Sequence, residues 1–297
     1  MLICLLISAH HSDSEVFAWD RIEIEVTFAP NFLMYRLLCF FIIAIALDSC
    51  SPNNATIDDS LEKYFKENNV TGTFGMFDNG TGEFTIYHMP RFRDSAYLPA
   101  STFDIVNAVV GIETGRAQDS SFVIPADGKS LSMMQAFTQS SAPVFRELAR
   151  RIGKDTMQHW LDTLGYASSQ QKPVIKDNLD TFWLDNTVKV TADEQLGLVK
   201  KLYFTQLPFQ PRSQRMVKNM MTREENANYI LCYATGRGTS DKGREIGWNI
   251  GWIEENRHPY FFVLQIESAD TSYDMAAHRE KMLKDILRQY DFMEGKR

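Results

Sequence analysis

Pro99-Ala100-Ser101-Thr102-Phe103-Asp104 runs on as Ile105-Val106-Asn107-Ala108-Val109-Val110-Gly111-Ile112-Glu113-Thr114-Gly115. From Ser101 to Gly115 the pattern is helical and closes on a glycine stop, and Ala142 to Gly153 repeats it. Upstream, Asp58 to Asn69 places Leu61, Tyr64 and Phe65 at helical spacing, and the stretch after it reads as two strands joined at Asp78-Asn79-Gly80. Downstream, two strand-like runs, Glu245 to Glu254 and Pro259 to Glu267, precede a last helix from about Asp274 to Phe292. Its apolar face is Met282, Leu283, Ile286 and Leu287. Terminal helices on one antiparallel sheet assembled from both ends of the chain, with a helical region inserted between, make an α+β fold.

The 297 residues carry a net charge of -7 and a pI near 5.4, which argues against nucleic acid as a partner. Of the cysteines Cys4, Cys39, Cys50 and Cys232, only the last lies in the globular part, so no disulfide framework is expected there. Neither cysteines nor histidines fall at metal-ligand spacing, so no metal and no cofactor is expected. A G-x-S-x-G elbow and a glycine-rich phosphate loop are also missing from the sequence.

From Met34 the chain has a basic start at Arg36, an apolar run from Leu37 to Leu47, then Asp48-Ser49-Cys50. That run is signal-peptide-like and short for a bilayer span. Its end resembles a lipoprotein signal, with Cys50 as the lipid-bearing residue and Asp48 atypical. Residues 34–50 are therefore expected to export the protein to the periplasm or cell envelope, anchored to the membrane through Cys50. Residues 1–33 would bury such a signal internally, so Met34 is the expected start. A polar spacer, 51–56, would lead into a domain over 57–292.

Four local patterns carry the chemistry. They are Pro99-Ala100-Ser101-Thr102-Phe103-Asp104; Ser140-Ser141-Ala142-Pro143-Val144-Phe145; Asp180-Thr181-Phe182-Trp183-Leu184-Asp185, preceded by Tyr166-Ala167-Ser168; and Tyr233-Ala234-Thr235-Gly236-Arg237. In order, spacing and flanks they resemble the class D (oxacillinase-type) serine β-lactamases and the related penicillin-binding transpeptidases, over about Ile57 to Gln289. The resemblance implies that Ser101 is the acylated serine at a helix N-terminus, its amide helping to hold an oxyanion. It implies that Ser140 shuttles protons, that Trp183 shields the base, that Thr235 and Gly236 line the ligand edge, and that Arg279 grips a ligand carboxylate.

The departures bear on activity. The family's P-A-S-T-F-K becomes P-A-S-T-F-D, its K-T-G becomes Ala234-Thr235-Gly236, Y-G-N becomes Tyr166-Ala167-Ser168, and Ala142 replaces a valine. A serine hydroxyl needs a positioned base, and the family's base is the lysine replaced here by Asp104, carbamylated in class D enzymes. A carboxylate at Asp104 sits roughly 4–5 Å short of that carbamate by bond geometry, beyond the hydrogen-bond reach of about 3 Å. Asp104 then either acts through a bridging water or fills the vacated space, hydrogen-bonded to Ser140 or Trp183. Losing two lysines for an acid shifts local charge by about three units, or about two against a carbamylated site, which disfavours an anionic ligand. Arg237 either restores one charge or is a solvated edge residue; Arg279 is a carboxylate ligand or a surface cation; Trp183 is a participant or packing.

Three functions follow as expectations. The first is an envelope pseudoenzyme that binds a β-lactam or peptidoglycan-type peptide without efficient hydrolysis. The second is an active serine β-lactamase or acyl-transferase using Asp104 through water. The third is a structural envelope protein.

Overall fold

The computed structural model describes residues 54–169 and 171–296. Residues 1–33, the segment 34–50 and Cys50 lie outside them. Three strands open the chain: β1 (Ala55–Ile57), β2 (Thr71–Asp78) and β3 (Phe84–Tyr87), with α1 (Glu62–Glu67) between the first two. Then come α2 (Met89–Asp94), β4 (Ala96–Tyr97) and α3 (Asp104–Glu113), which is led in by a 3-10 turn over Ala100–Phe103. A small hairpin, β5 (Val123–Ala126) and β6 (Lys129–Ser132), precedes α4 (Met133–Gln139), α5 (Ala142–Ile152) and α6 (Lys154–Leu164). After β7 (Val190–Thr191) follow α7 (Ala192–Tyr203), α8 (Pro211–Met220), β8 (Thr222–Glu225), β9 (Ile230–Thr239), β10 (Glu245–Glu255), β11 (His258–Ser268) and α9 (Met275–Gln289).

One seven-stranded sheet runs in the order β1-β3-β2-β11-β10-β9-β8, so strands from both ends of the chain meet where β2 pairs with β11. All its pairings are antiparallel except β1 with β3. That exception enlists Ala55 and Thr56, which the sequence assigns to the spacer, opposite Phe84 and Thr85. The Asp78-Asn79-Gly80 turn is longer than a two-residue hairpin loop, because Asp78 N–H bonds back to Glu83 and Gly82 N–H to Asp78.

The sheet separates two cores. On one face Leu61 and Phe65 join Leu283, Ile286 and Leu287 of α9 over Phe74, Leu231, Ile253, Phe262 and Leu264. On the other, the helical region packs Phe103, Val109, Phe145 and Leu148 against the sheet through Ala234, Trp248, Ile250 and Phe261. Alternation along β9 explains the division: Leu231 and Tyr233 face α9, whereas Cys232 and Ala234 face the helices. Burial of this kind stabilises by about 25 cal/mol per Å² of apolar surface.

Glycines in two settings give opposite expectations. A Cβ at Gly251 on β10 would sit 2.0 Å from the Cys232 carbonyl oxygen and 2.7 Å from Tyr233 Cα, whereas at Gly197, inside α7, it would meet nothing within 4 Å. Gly251→Ala should therefore cost about 3 kcal/mol or more in urea unfolding. Gly197→Ala should gain about 0.5–1 kcal/mol, the helix-propensity difference. Equal midpoints for the two variants would contradict this packing.

Candidate functional site

The turn that carries Ser101 is fixed from three sides. Ala100 is fully buried at φ +48, a left-handed conformation costly for a residue with a Cβ, and its N–H donates to the Trp183 carbonyl at 3.0 Å. The Thr102 hydroxyl donates to the Pro99 carbonyl at 2.7 Å and accepts from Gln195 Nε2 at 2.6 Å. Across the cleft, a Cβ at Gly236 would lie 2.8 Å from the Pro99 oxygen, so only glycine lets β9 pass this close to the turn.

The second serine is held similarly. Ser140 caps α4 at φ +49, and its Oγ stands 3.0 Å from Thr235 Oγ1. Arg279, from α9, reaches the same strand: its Nη1 donates to the Gly236 carbonyl at 2.6 Å. The Ser101 turn, Ser140 and Arg279 thus all meet β9 at Thr235 and Gly236.

Asp104 departs from expectation. It is 2 % exposed, and neither carboxyl oxygen has a hydrogen-bond partner of normal geometry among the described residues. The expected bond to Ser140 or Trp183 is not made: Ser140 bonds Thr235, and Trp183 stacks on Phe103, ring centroids 5.2 Å apart. Burial pushes the Asp104 pKa well above the usual carboxylate range, opposed only by the neighbouring Ser101 hydroxyl. Burial likewise raises the Tyr166 phenol, with Glu194 and Asp104 adding to it, and its hydroxyl too is buried without a partner. Next to it, Ala167 keeps φ +57, a conformation better suited to the glycine of Y-G-N.

Arg237 is exposed and its Nε donates to Glu245 at 3.2 Å, so its charge is partly neutralised on the sheet edge. Arg279 is 8 % exposed rather than a surface cation, and burial lowers its pKa to about 10. Asp180 of the aromatic loop is clamped by Arg146 at 3.2 Å and by Arg150 at 2.5 Å, both on α5.

Two features escape the sequence reading. Tyr233 N–H donates to Met221, its carbonyl accepts from Arg223, and the Thr239 carbonyl accepts from Asn186. Backbone groups alternate sides in an antiparallel strand, and β9 keeps unbroken register with β10 from Ile230 to Thr239. Thr235 and Arg237 therefore present N–H and C=O on that same edge, opposite the Ser101 turn, where an extended ligand can pair. The Arg237 amide therefore lies on the open edge of β9, a placement unconnected with its side chain. The other feature is Arg223, a lone arginine in Thr222-Arg223-Glu224-Glu225 whose guanidinium bonds Tyr233 and Thr138 carbonyls at 2.9 and 3.0 Å. No sequence pattern signals it.

Comparison with known proteins fits this geometry. Residues 67–288 match the family model of the penicillin binding protein transpeptidase domain. The chain is 30 % identical over 239 residues to β-lactamase OXA-48 of Klebsiella pneumoniae, covering 77 % of this chain and 87 % of that protein. It is 29 % identical to the probable β-lactamase YbxI of Bacillus subtilis, covering 78 % and 84 %. Among solved structures it resembles a class D β-lactamase from Nostoc, with TM-score 0.72, 28 % identity and coverage of 78 % and 98 %. The class D enzyme FUS-1 (OXA-85) of Fusobacterium nucleatum gives TM-score 0.73 and 26 % identity, covering 80 % and 100 %.

The state of Asp104 is testable through stability. Unfolded, the residue ionises near pH 3.9, whereas the folded chain keeps it protonated to higher pH. Wild-type stability therefore falls as pH rises from about 3.9 towards the folded pKa, by up to about 1.4 kcal/mol per pH unit for this group. Asp104→Asn escapes that loss. Its advantage in urea unfolding should be small near pH 4 and widen towards neutrality; a gap independent of pH would show Asp104 ionised in the fold.

Proposed function

The chain belongs to the class D serine β-lactamase and penicillin-binding transpeptidase family, and from that premise we propose that it is an envelope pseudoenzyme that binds a β-lactam or peptidoglycan-type peptide without efficient hydrolysis. The observation that carries this reading is the buried, unpartnered Asp104 carboxyl one helical turn from Ser101. Burial favours the protonated form of Asp104, and a protonated carboxyl cannot accept the Ser101 proton, so the base for attack on a ligand carbonyl is weakened. Ala234 offers no second relay: Ser140 bonds Thr235 on a strand with no amine at the neighbouring position. The binding half of this reading is supported by the open edge of β9 at Thr235 and Arg237 and by the cations bonded along that strand, Arg223 and Arg279.

A second reading, slow acyl transfer with Asp104 acting through water, draws support from the Ser101 hydroxyl, the one group that lowers the Asp104 pKa. The two readings separate experimentally. Loss of a positioned base costs on the order of 10² to 10⁴ in rate, so wild type should hydrolyse a chromogenic cephalosporin no faster than Ser101→Ala. Asp104→Lys with Ala234→Lys should restore labelling of Ser101 by a fluorescent penicillin, read by intact mass. Serine-dependent hydrolysis by wild type, rising with pH as Asp104 ionises, would establish the second reading instead. A folded double variant that stays unlabelled would leave a structural envelope role.

Localisation belongs to the same proposal. Export to the cell envelope from a start at Met34, with a lipid on Cys50, rests on the basic, apolar and small-residue order of 34–50. Metabolic labelling with a palmitate analogue should tag wild type and spare Cys50→Ala; equal labelling of both would rule the anchor out.

A further inference from the structure

Arg223 is aimed by an irregularity. The pairing of β8 with β9 passes from Thr222 opposite Cys232 directly to Glu224 opposite Leu231, so Arg223 is the extra residue of a bulge. Bulges turn a side chain out of the ladder. This one sends the guanidinium along the β9 edge: Nε donates to the Tyr233 carbonyl at 2.9 Å, Nη1 to Thr138 at 3.0 Å and Nη2 to Phe137 at 3.5 Å. Tyr233 directly precedes Ala234, and the other two carbonyls end α4, which Ser140 caps. The guanidinium thus joins the segment that lacks the family lysine to the segment that carries the second serine.

Its charge meets no salt-bridge partner among the described residues, although Glu280 acts on it at longer range and the guanidinium stands 5.4 Å from the Tyr233 ring and 5.9 Å from the Phe137 ring. Arg223 is partly buried, and among the described residues it forms no ion pair; its hydrogen-bond partners are all backbone carbonyls. Carbonyls satisfy donors but cancel no charge, and a desolvated cation without a counter-ion is costly. Of five N–H groups, the three carbonyl bonds use three, so two remain. The Thr235 and Arg237 amides lie on the same strand edge as the Tyr233 carbonyl that Arg223 bonds.

We propose that Arg223 is a specificity-determining residue that binds the carboxylate of a ligand laid along β9, a relocated cation in place of the lysine absent at Ala234. The proposal rests on the reading of the cleft as a binding site for β-lactams or D-alanyl-D-alanine peptides. Both ligand classes share a carboxylate near the acyl group.

Binding is measured in a Ser101→Ala background, so that no acylation intervenes. One pair of probes is benzylpenicillin and its methyl ester; the other is an acetylated D-alanyl-D-alanine peptide and its C-terminal amide. A charge-assisted pair implies that the acid binds roughly tenfold more tightly than its neutral partner. Arg223→Gln should abolish that preference while leaving the neutral compound's affinity unchanged, and Arg223→Lys should keep part of it. A merely structural role would weaken both members of a pair equally, which overturns the proposal. A preference in one pair alone supports it and identifies which ligand class the cleft takes. Unchanged preference in Arg223→Gln overturns this proposal and leaves the cleft reading intact, whereas binding of none of the four probes overturns both. Should Arg223→Gln fail to fold by circular dichroism, Arg223→Lys decides alone, since a preference identical to that of the parent would show that the forked guanidinium plays no part.

Discussion

The approach of β9 to the Ser101 turn governs the rest of the site. At Gly236 the strand lies so near Pro99 and Thr102 that a single methyl would collide, at 2.8 Å from a backbone oxygen that cannot yield. That proximity lets one strand serve two sets of partners. Its edge faces the serine turn, its Thr235 hydroxyl meets Ser140, and its Gly236 carbonyl anchors Arg279. Ser140 comes from the middle of the chain and Arg279 from its last helix, and neither would converge if a side chain at 236 pushed β9 away. Left-handed Ala100 and Ser140 are the local cost of the same arrangement.

Within this frame the electrostatics have been rearranged. In a water-excluded position a lone carboxyl is cheapest when protonated, and burial alone raises the pKa of Asp104. The acid accordingly carries less negative charge at a given pH than an exposed aspartate would. Meanwhile Arg223 and Arg279 attach to carbonyls on either side of Ala234-Thr235, at Tyr233 and Gly236. Positive charge therefore persists along the edge even though the strand itself carries no lysine there, and an anionic ligand is less disfavoured than the motif changes alone imply.

Much of this was legible in the sequence, for identifiable reasons. The helix over Met275–Gln289 announces itself by Met282, Leu283, Ile286 and Leu287, and β10 and β11 by long apolar runs between turns. The segments bearing Ser101, Ser140, Thr235 and Gly236 stand out because their short patterns are contiguous, whereas Arg279 is singled out by its place in the last helix alone. Arg223 is not found, because its importance arises from a bulge, a feature of strand register that leaves no mark in composition. The Arg237 amide is missed for a related reason: backbone donors belong to every residue, and only pairing shows which edge is open. Asp104 was placed correctly but given the wrong partners, since sequence spacing fixes its face of the helix and not what the opposite wall offers.

Several buried polar atoms near the serine turn share the condition of Asp104. Asn107 Oδ1 on α3, Gln195 Oε1 behind Thr102, and the Tyr166 hydroxyl against Phe103 have no partner of normal geometry among the described residues. Native interiors hold few such groups, and each costs roughly 1–3 kcal/mol. They are not confined to the turn: Asn249 Oδ1 on β10 and Arg279 Nε on α9 share the condition. Aspartate at 104 differs from the family's lysine in length as well as charge. The scaffold tolerates this because the two hydrophobic cores and the β9 contact hold the turn independently of the residue at 104. The same independence lets the open edge of β9 keep its geometry whatever residue stands at 104.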